Sequence, residues 1–457
     1  MQHITIYDYL LLPLYLFLFY ILVKRRSLKF EDRELRKIFI TAFALRMLGA
    51  IGYSLMVQYY YGYGDSFTYY EGGNYLRGLL LTDINNIKYI FFSAEEIQRL
   101  YSFQEGRVGG LNGYIATGSS LAIMKASAIA SLVTFNKYLV TSIFFGMFSF
   151  MGQWKLFMVF NGINKGKYQK LLAFAVLYTP AIWFWGSGLL KESLCMGGIG
   201  FIISILYNAI ANKRVIAKDW ILLALCVYIV YVIKSYIIVI LVTVVFFTIL
   251  FTFFQKVKII PVKFALIALT ILGIYFFLSY SDFSEQINDL AEESVSQIEN
   301  FQKNYQVTQQ QDESSKAGFE MANIGSSFSS MMARSPVVIL SCLYRPFLWE
   351  SKKLIIFFSS LESTLLLLST LFVFFKTRIV GFFWLLFADP YIFFCFLITV
   401  LFALIIGFTT FNFGTMVRYK IVLLPFMYFM LVNMYARTME KRKNKMTDTW
   451  RDIMPVS

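Results

Sequence analysis

Long apolar stretches separated by short basic clusters run through the whole chain. The stretch 221–233, for example, is followed after three residues by a second one, 237–254. Repeated apolar stretches near twenty residues long are typical of helices that cross a bilayer. The pattern predicts an all-α membrane protein with about 11 transmembrane helices, roughly 5–23, 38–60, 138–160, 171–187, 193–210, 220–233, 236–254, 264–280, 354–375, 390–409 and 421–436.

The basic residues between these stretches indicate one orientation. With the N-terminus outside, the segments 24–37, 161–170, 211–219, 255–263, 376–389 and the tail 437–457 would be cytoplasmic and hold 24 Lys and Arg in 77 residues. The remaining segments would lie outside and hold 16 in about twice that length. This bias follows the positive-inside rule. We therefore expect a single multi-pass domain over 1–457 in the plasma (inner) membrane, with a basic cytoplasmic tail.

Two of the predicted outside segments are long. The first external loop, 61–137, begins with a stretch rich in tyrosine and contains 113–135, which is expected to form an interfacial helix. The second, 281–353, opens with the acidic, Gln- and Ser-rich stretch 282–320, which is expected to be partly mobile. The first apolar stretch, 5–23, lacks a basic n-region and a small-residue cleavage site, so it is predicted to be retained.

Composition excludes several classes of function. The chain of 457 residues is 58% hydrophobic, and its net charge of +15 lies in the loop clusters expected to face anionic lipid, so no nucleic-acid partner is expected. The four cysteines are scattered and suggest neither a disulfide framework nor a metal knuckle. With one histidine, His3, a His-ligated metal is not indicated. We expect no cofactor, and nothing in the sequence indicates a divalent metal.

Three polar residues stand at the predicted outer surface of the first half. Asp65 follows the second span among several tyrosines, where a carboxylate could act as a base or simply cap a short helix. Lys191 and Glu192 follow a Gly-Ser-Gly turn at headgroup level. They are either ligands for an anionic headgroup or an ordinary pair at the membrane surface.

Lys234 interrupts an apolar run of over thirty residues and, with Tyr236, predicts a hairpin apex or helix break. An ionisable group at such depth is costly, and it is either functional or a turn marker.

Two arginines stand at the predicted outer surface of the second half. Arg345 and Glu350 precede the span 354–375, while Arg418 and Tyr419 precede the last span. Arginine suits bidentate binding of a phosphate or pyrophosphate, although either residue could instead anchor a helix at the interface. Arg46, inside the second span, has the same two interpretations.

Short motifs in 64–69, 180–192 and 417–425 resemble segments of GT-C fold glycosyltransferases and of bacterial GT-C-like and O-antigen polymerase-like proteins. The aspartate in Gly-Asp-Ser-Phe-Thr-Tyr resembles the first-external-loop aspartate of that family. The resemblance implies a polyprenyl-phosphate sugar donor, a glycan or lipid-linked acceptor, and inversion at the anomeric carbon. It further implies that Asp65 is the general base and that Lys191, Lys234, Arg345 and Arg418 hold the donor phosphate.

Three functions remain open at this point. The first is a GT-C-like transferase on the outer membrane face, and the second is an O-antigen or exopolysaccharide repeat-unit polymerase. The polymerase would depend more on Arg345 and Arg418 than on Asp65. The third is a transporter or lipid flippase, which predicts internal repeats and charges at mid-membrane depth. No repeat is visible in the sequence.

Overall fold

The structure is a computed structural model that describes residues 3–105, 111–213, 215–257, 328–351, 353–410 and 412–453. Within these ranges the chain is helical and contains no β-strand. Seven of the described helices are long and apolar enough to cross a membrane, or eight if one bent pair counts as a span. The described part of the chain is thus all-α, and its long apolar helices indicate a multi-pass membrane protein. The predicted span 264–280 and the mobile stretch 282–320 lie outside the described residues.

The helices form two compact units, residues 1–239 and 240–457. The first unit contains the helices α1 Ile6–Ser27, α2 Arg33–Met56, α3 Asp65–Thr82, α4 Ala94–Glu105, α5 Leu111–Ala116, α6 Gly118–Val133, α7 Tyr138–Ile163, α8 Gln169–Ala173, α9 Pro180–Trp185, α10 Lys191–Ile210 and α11 Ala217–Ile233. A π-helical turn, Val57–Tyr61, extends α2, a 3₁₀ turn, Ile84–Ile90, follows α3, and a second π-helical turn, Phe174–Tyr178, extends α8.

The helix α12, Ser235–Lys256, begins in the first unit and ends in the second. The second unit contains α13 Phe328–Tyr344, α14 Leu354–Thr377, α15 Ile379–Ala388, α16 Pro390–Thr409, α17 Phe413–Lys420 and α18 Leu424–Ile453, with a 3₁₀ turn, Leu348–Glu350, before α14. Helix α16 packs against α13 and α18, and α14 packs against α18.

Several helices differ from the predicted spans. The span expected over 171–187 is divided into α8, a π-helical turn and α9, because Pro180 ends one hydrogen-bond ladder and begins the next. Helices α17 and α18 form a pair bent by 59°. Residues 437–453, expected as a tail, continue α18 as one helix. Helix α11 has 17 residues, or about 25 Å, and is short for a bilayer core of about 30 Å.

Contacts within each unit agree with the predicted grouping of loops. In the first unit, the Gln169 amide donates to Asp32 at 2.9 Å, which joins the segments 161–170 and 24–37. In the second, Arg442 donates to the Lys376 carbonyl oxygen at 2.8 Å, which joins 437–453 to 376–389. Each pair of segments was predicted to share the cytoplasmic side. The orientation of either unit across a membrane stays a prediction.

Glycines allow α7 and α10 to cross in close contact. A Cβ atom added at Gly152 would lie 2.0 Å from the Gly197 carbonyl oxygen, and one added at Gly200 would lie 2.0 Å from the Gly152 carbonyl oxygen. Small residues at such crossings let helix backbones pack directly on each other in a membrane. The crossing fixes the position of α10, whose first residue is Lys191.

We expect Gly152→Ala to destabilise the protein, since its methyl group would overlap the α10 backbone. Overpacking of this kind costs about 1–3 kcal/mol. Gly162→Ala, on the same helix, is the matched control, because no atom lies within 4 Å of its added Cβ. Thermal unfolding of the detergent-solubilised proteins measures both changes. Equal melting temperatures for the two variants would contradict the close crossing.

Candidate functional site

Asp65 is the first residue of α3 and is partly exposed. The chain reaches it through the π-helical turn and two glycines with positive φ, Gly62 at 72° and Gly64 at 154°. Such backbone conformations favour glycine, and they turn the chain sharply from α2 into α3. The Asp65 carboxylate accepts a hydrogen bond of 3.0 Å from the Tyr114 hydroxyl of α5. The segment 61–137 therefore holds the carboxylate in a defined position.

Lys191 opens α10 and lies close to the same group of residues. Its Nζ atom donates to the Ser119 hydroxyl at 2.9 Å and lies 5.7 Å from the centre of the buried Tyr69 ring. The Tyr69 ring in turn contacts the Tyr114 ring, with centroids 6.2 Å apart. One continuous set of contacts therefore joins Asp65 to Lys191. We call these five residues the Asp65–Lys191 cluster: Asp65, Tyr69, Tyr114, Ser119 and Lys191.

Arg46 fixes the chain just before α10. Its guanidinium is 2% exposed and donates to the carbonyl oxygens of Ile182 and Gly186 at 2.9 and 3.0 Å, and to the Ser149 hydroxyl at 3.2 Å. Those carbonyls belong to α9 and to the residue that follows it. Because the last carbonyls of a helix lack partners within it, a buried helix end needs donors from elsewhere. Arg46 is therefore a buried structural residue, a different role from the phosphate ligand or interface anchor considered for it.

The turn between α9 and α10 packs tightly on its neighbours. A Cβ atom at Gly188 would lie 2.2 Å from the Tyr53 ring, and one at Gly146 would lie 3.0 Å from the Ser187 carbonyl oxygen. The Ser193 hydroxyl donates to the Gly188 carbonyl oxygen at 2.6 Å. These contacts leave little freedom for the turn. They position Lys191 relative to α2 and α7.

Lys234 and Glu192 form a buried ion pair with 2.9 Å between Nζ and the carboxylate. Glu192 is inaccessible to solvent, and the Lys234 side chain is 8% exposed. Lys234 lies at the break between α11 and α12, as its apolar surroundings predicted. The partly exposed Tyr236 follows on α12. The pairing neutralises Lys234 within the protein, which favours a structural role over direct binding of a phosphate.

The candidate residues of the second unit also form an ion pair. Arg345 binds the Glu350 carboxylate with its Nε atom at 2.9 Å and also with Nη2. Its guanidinium lies 5.3 Å from the centre of the Phe413 ring. Glu350 additionally accepts from the Phe347 backbone N–H at 2.8 Å. Arg345 is thus held in place beside the start of α17.

Lys420 was not among the predicted site residues, although it follows two of them. Arg418 and Tyr419 lie partly exposed on α17, whereas Lys420 is 1% exposed. Lys420 Nζ donates to the Ser363 hydroxyl of α14 at 2.6 Å and to the Arg345 carbonyl oxygen at 3.1 Å. Its position, directly before the predicted last span 421–436, was the only signal available in the sequence, and the structure places it at the bend between α17 and α18.

The predicted site residues fall in both units. Asp65, Lys191, Glu192, Lys234 and Tyr236 belong to the first, and Arg345, Glu350, Arg418 and Tyr419 belong to the second. The structure brings Asp65 and Lys191 into one cluster and pairs Glu192 with Lys234. That all nine residues form a single site stays a prediction.

Sequence reasoning did not assign Tyr114 and Ser119 to the site. Both lie in the long first external segment, and the chain contains 30 tyrosines, so neither was conspicuous. Among the residues that the structure describes, no three His, Cys, Asp or Glu side chains converge to form a metal site.

No protein-family model matches this chain, and no curated protein or solved structure is significantly similar to it. The chemistry of the site is therefore argued from its own residues.

We expect Glu192→Gln and Lys234→Met each to destabilise the protein, because each removes one partner of a buried pair. Loss of one partner typically costs about 3–5 kcal/mol. The double variant should recover part of that loss, since it leaves neither charge behind. Lys191→Met, at the adjacent and more exposed position, is the control and should cost less. Thermal unfolding gives the double-mutant cycle, and strictly additive losses would argue against a structural ion pair.

His3 packs against Phe67, two residues after Asp65 on α3. Its ring lies 4.1 Å from the Phe67 ring, and its backbone N–H donates to the Gln58 side chain at 2.9 Å. Burial lowers the pKa of the imidazole, the Glu71 carboxylate at 3.4 Å raises it in part, and the chain's amino group lowers it. The fold therefore favours the neutral ring.

Because the folded pKa of His3 is depressed, its stabilising contribution is present above the unfolded value of about 6.5 and is lost as the pH falls through the folded value. We expect Glu71→Gln to lower the pKa further. Hydrogen–deuterium exchange at the imidazole C2 atom measures it directly, in a protein purified without a histidine tag. Glu95→Gln, an exposed carboxylate on α4, is the control. A pKa at or above 6.5 would be inconsistent with the packing.

Proposed function

We propose that the chain is a membrane-embedded glycosyltransferase of the GT-C type that transfers a sugar from a polyprenyl-phosphate donor. The Asp65–Lys191 cluster is the observation that carries this proposal. It contains a partly exposed carboxylate and a partly exposed ammonium group, linked through Tyr69 and Tyr114. A reaction that removes a proton and releases a phosphate needs these two kinds of group.

Asp65 is the general base in this proposal. It accepts the proton of the acceptor hydroxyl, and the acceptor oxygen forms a bond to the anomeric carbon of the donor sugar. The bond between that carbon and the phosphate oxygen breaks, and its electron pair leaves with the polyprenyl phosphate. Attack opposite the leaving group inverts the anomeric centre. The Tyr114 hydroxyl, which donates to Asp65 at 3.0 Å, orients the carboxylate.

Lys191 would stabilise the departing phosphate. Its ammonium group stands at the N-terminus of α10, a helix of 20 residues whose first N–H groups also favour an anion. Ser119 holds the ammonium group at 2.9 Å. The contacts of Arg46 and the α9–α10 turn keep this helix end in place, so the phosphate would meet a preformed site.

The proposed location of the site rests on the distribution of Lys and Arg among the loops. The cluster belongs to the side that the positive-inside rule assigns to the exterior of the plasma (inner) membrane, and the N-terminus would lie on the same side. A donor with a polyprenyl tail reaches such a site from the bilayer. The acceptor would be a glycan or lipid-linked saccharide used in cell-surface assembly.

A repeat-unit polymerase is the second candidate, because Arg345 and Lys420 approach each other at one end of the second unit. Lys420 donates to the Arg345 carbonyl oxygen at 3.1 Å. The contact is to the backbone of Arg345, and it brings together two residues whose cationic side chains would suit a lipid pyrophosphate. Arg345, however, is already bound by Glu350 and Lys420 is buried, so the cluster of the first unit has the better access to a substrate.

We expect Asp65→Asn to reduce transfer about 10²–10⁴-fold, the usual contribution of a general base. Mass spectrometry of lipid-linked and surface glycans would compare native cells, a deletion strain, and the deletion strain carrying Asp65→Asn. Asp83→Asn in the same background is the control. Asp83 caps the 3₁₀ turn through the Asn85 N–H at 2.9 Å, and asparagine can preserve that contact. Immunoblots of membranes would establish equal abundance.

Glycans one sugar short in the deletion and Asp65→Asn strains, with complete glycans for Asp83→Asn, would support the transferase. Accumulation of single complete repeat units in the deletion strain would support the polymerase instead. Unchanged glycans in every strain would refute a role in glycan assembly.

A further inference from the structure

The helix α15 exposes an unusually large apolar surface for its length. Its ten residues, Ile379–Ala388, are all apolar or glycine, and only Leu385 and Leu386 are buried. Large side chains with more than half of their surface exposed are Ile379, Val380, Phe383, Trp384 and Phe387. A helix of ten residues is about 15 Å long and cannot cross a core of about 30 Å. Such a helix is suited to the boundary between the hydrocarbon and the headgroups.

Basic side chains stand next to this apolar surface. Lys441 Nζ of α18 lies 3.7 Å from the centre of the Trp384 ring. The Arg442 guanidinium donates to the Lys376 carbonyl oxygen at 2.8 Å, which brings that part of α18 to the end of α14. Arg378 joins α14 to α15 and is exposed. We call this set the basic–aromatic patch: Lys376, Arg378, Trp384, Lys441 and Arg442.

The acidic groups nearby do not cancel this charge. Asp389 is buried and forms an ion pair with Arg437, and its carboxylate also caps α16 by accepting from the backbone N–H groups of Tyr391 and Ile392 at 2.8 and 3.0 Å. Glu440 precedes Lys441 on α18 and is exposed. The patch contributes four cations beside an apolar helix, and its net charge stays positive.

We propose that the basic–aromatic patch binds the headgroup of an anionic phospholipid whose acyl chains lie along α15. The apolar side chains of α15 match hydrocarbon, and an indole ring at their edge suits the interface. The cations match a phosphodiester that carries a net negative charge. A folded protein partner could pair with the cations, but it would leave the apolar surface of α15 uncovered, which is why a lipid fits the patch better. The inference is independent of the proposed glycosyltransferase activity.

The test uses the full-length protein in detergent and native mass spectrometry. Titration with phosphatidylglycerol and, separately, phosphatidylcholine gives the number of bound lipids and their apparent Kd. We expect at least one site that prefers phosphatidylglycerol. The double variant Arg378→Gln/Lys441→Gln should weaken that site about tenfold or more, since each cation near the headgroup contributes measurably.

A matched control removes the same charge elsewhere. Lys213→Gln/Lys218→Gln replaces two exposed lysines of the first unit and should leave the affinity for phosphatidylglycerol unchanged. Arg378→Gln alone, at an exposed position, serves if the double variant fails to fold. Trp384→Leu keeps the apolar surface but removes the indole, and it should weaken the preference less than loss of the cations.

Equal binding of the two lipids by the native protein would overturn the proposal, as would retention of the preferred site in Arg378→Gln/Lys441→Gln. Loss of that site in the Lys213→Gln/Lys218→Gln control would show an unspecific response to total charge, which also overturns it. Self-association that Trp384→Leu abolishes, without any lipid preference, would assign the patch to contact between two copies of the chain.

Discussion

Every break in a membrane helix leaves backbone groups that need hydrogen-bond partners, and several of the buried polar side chains lie at such breaks. Arg46 donates to the carbonyl oxygens at the end of α9, and Lys420 donates to the Arg345 carbonyl oxygen beyond α13. Asp8 accepts from the Leu139 N–H near the start of α7. These side chains stand where hydrogen-bond ladders begin or end. They add hydrogen-bond partners for backbone groups at these helix ends, in an apolar environment where an unsatisfied group is costly.

The same breaks supply the residues of the candidate site. Asp65 follows a π-helical turn, Lys191 follows the α9–α10 turn, and Lys234 lies between α11 and α12. A continuous helix would direct its polar side chains into neighbours or lipid, whereas a helix start presents both its first N–H groups and a side chain to one place. Structural need and the proposed chemistry therefore involve the same positions, and for Lys234 the ion pair with Glu192 favours the structural role.

The length of the apolar stretches predicted the long helices well, because a helix that crosses a bilayer needs about twenty consecutive apolar residues. The spans 5–23, 138–160 and 390–409 correspond to α1, α7 and α16. The division of 171–187 follows from Pro180, which the sequence shows, whereas the donor on α2 that binds the carbonyl oxygens of Ile182 and Gly186 has no local signal. Charge predicted a basic cytoplasmic tail from 437; in the structure this segment is helical as far as Ile453, with Lys441 beside Trp384 of α15 and Arg442 bound to the end of α14. Asp65 and Lys191 could be singled out because each stands next to a predicted span. Tyr114 and Ser119 were identified only from their contacts with these two residues in the folded chain.

The continuity of α18 has a mechanical consequence. Thirty residues of α-helix measure about 45 Å, which exceeds the bilayer core by roughly 15 Å. The turns of α18 that exceed such a core form a continuous helical rod, and its direction is set by the packing of α18 within the second unit. Force or torque applied to residues near 450 would pass along the rod to the bend after α17, where Lys420 lies. A flexible tether of the same composition would dissipate such a force.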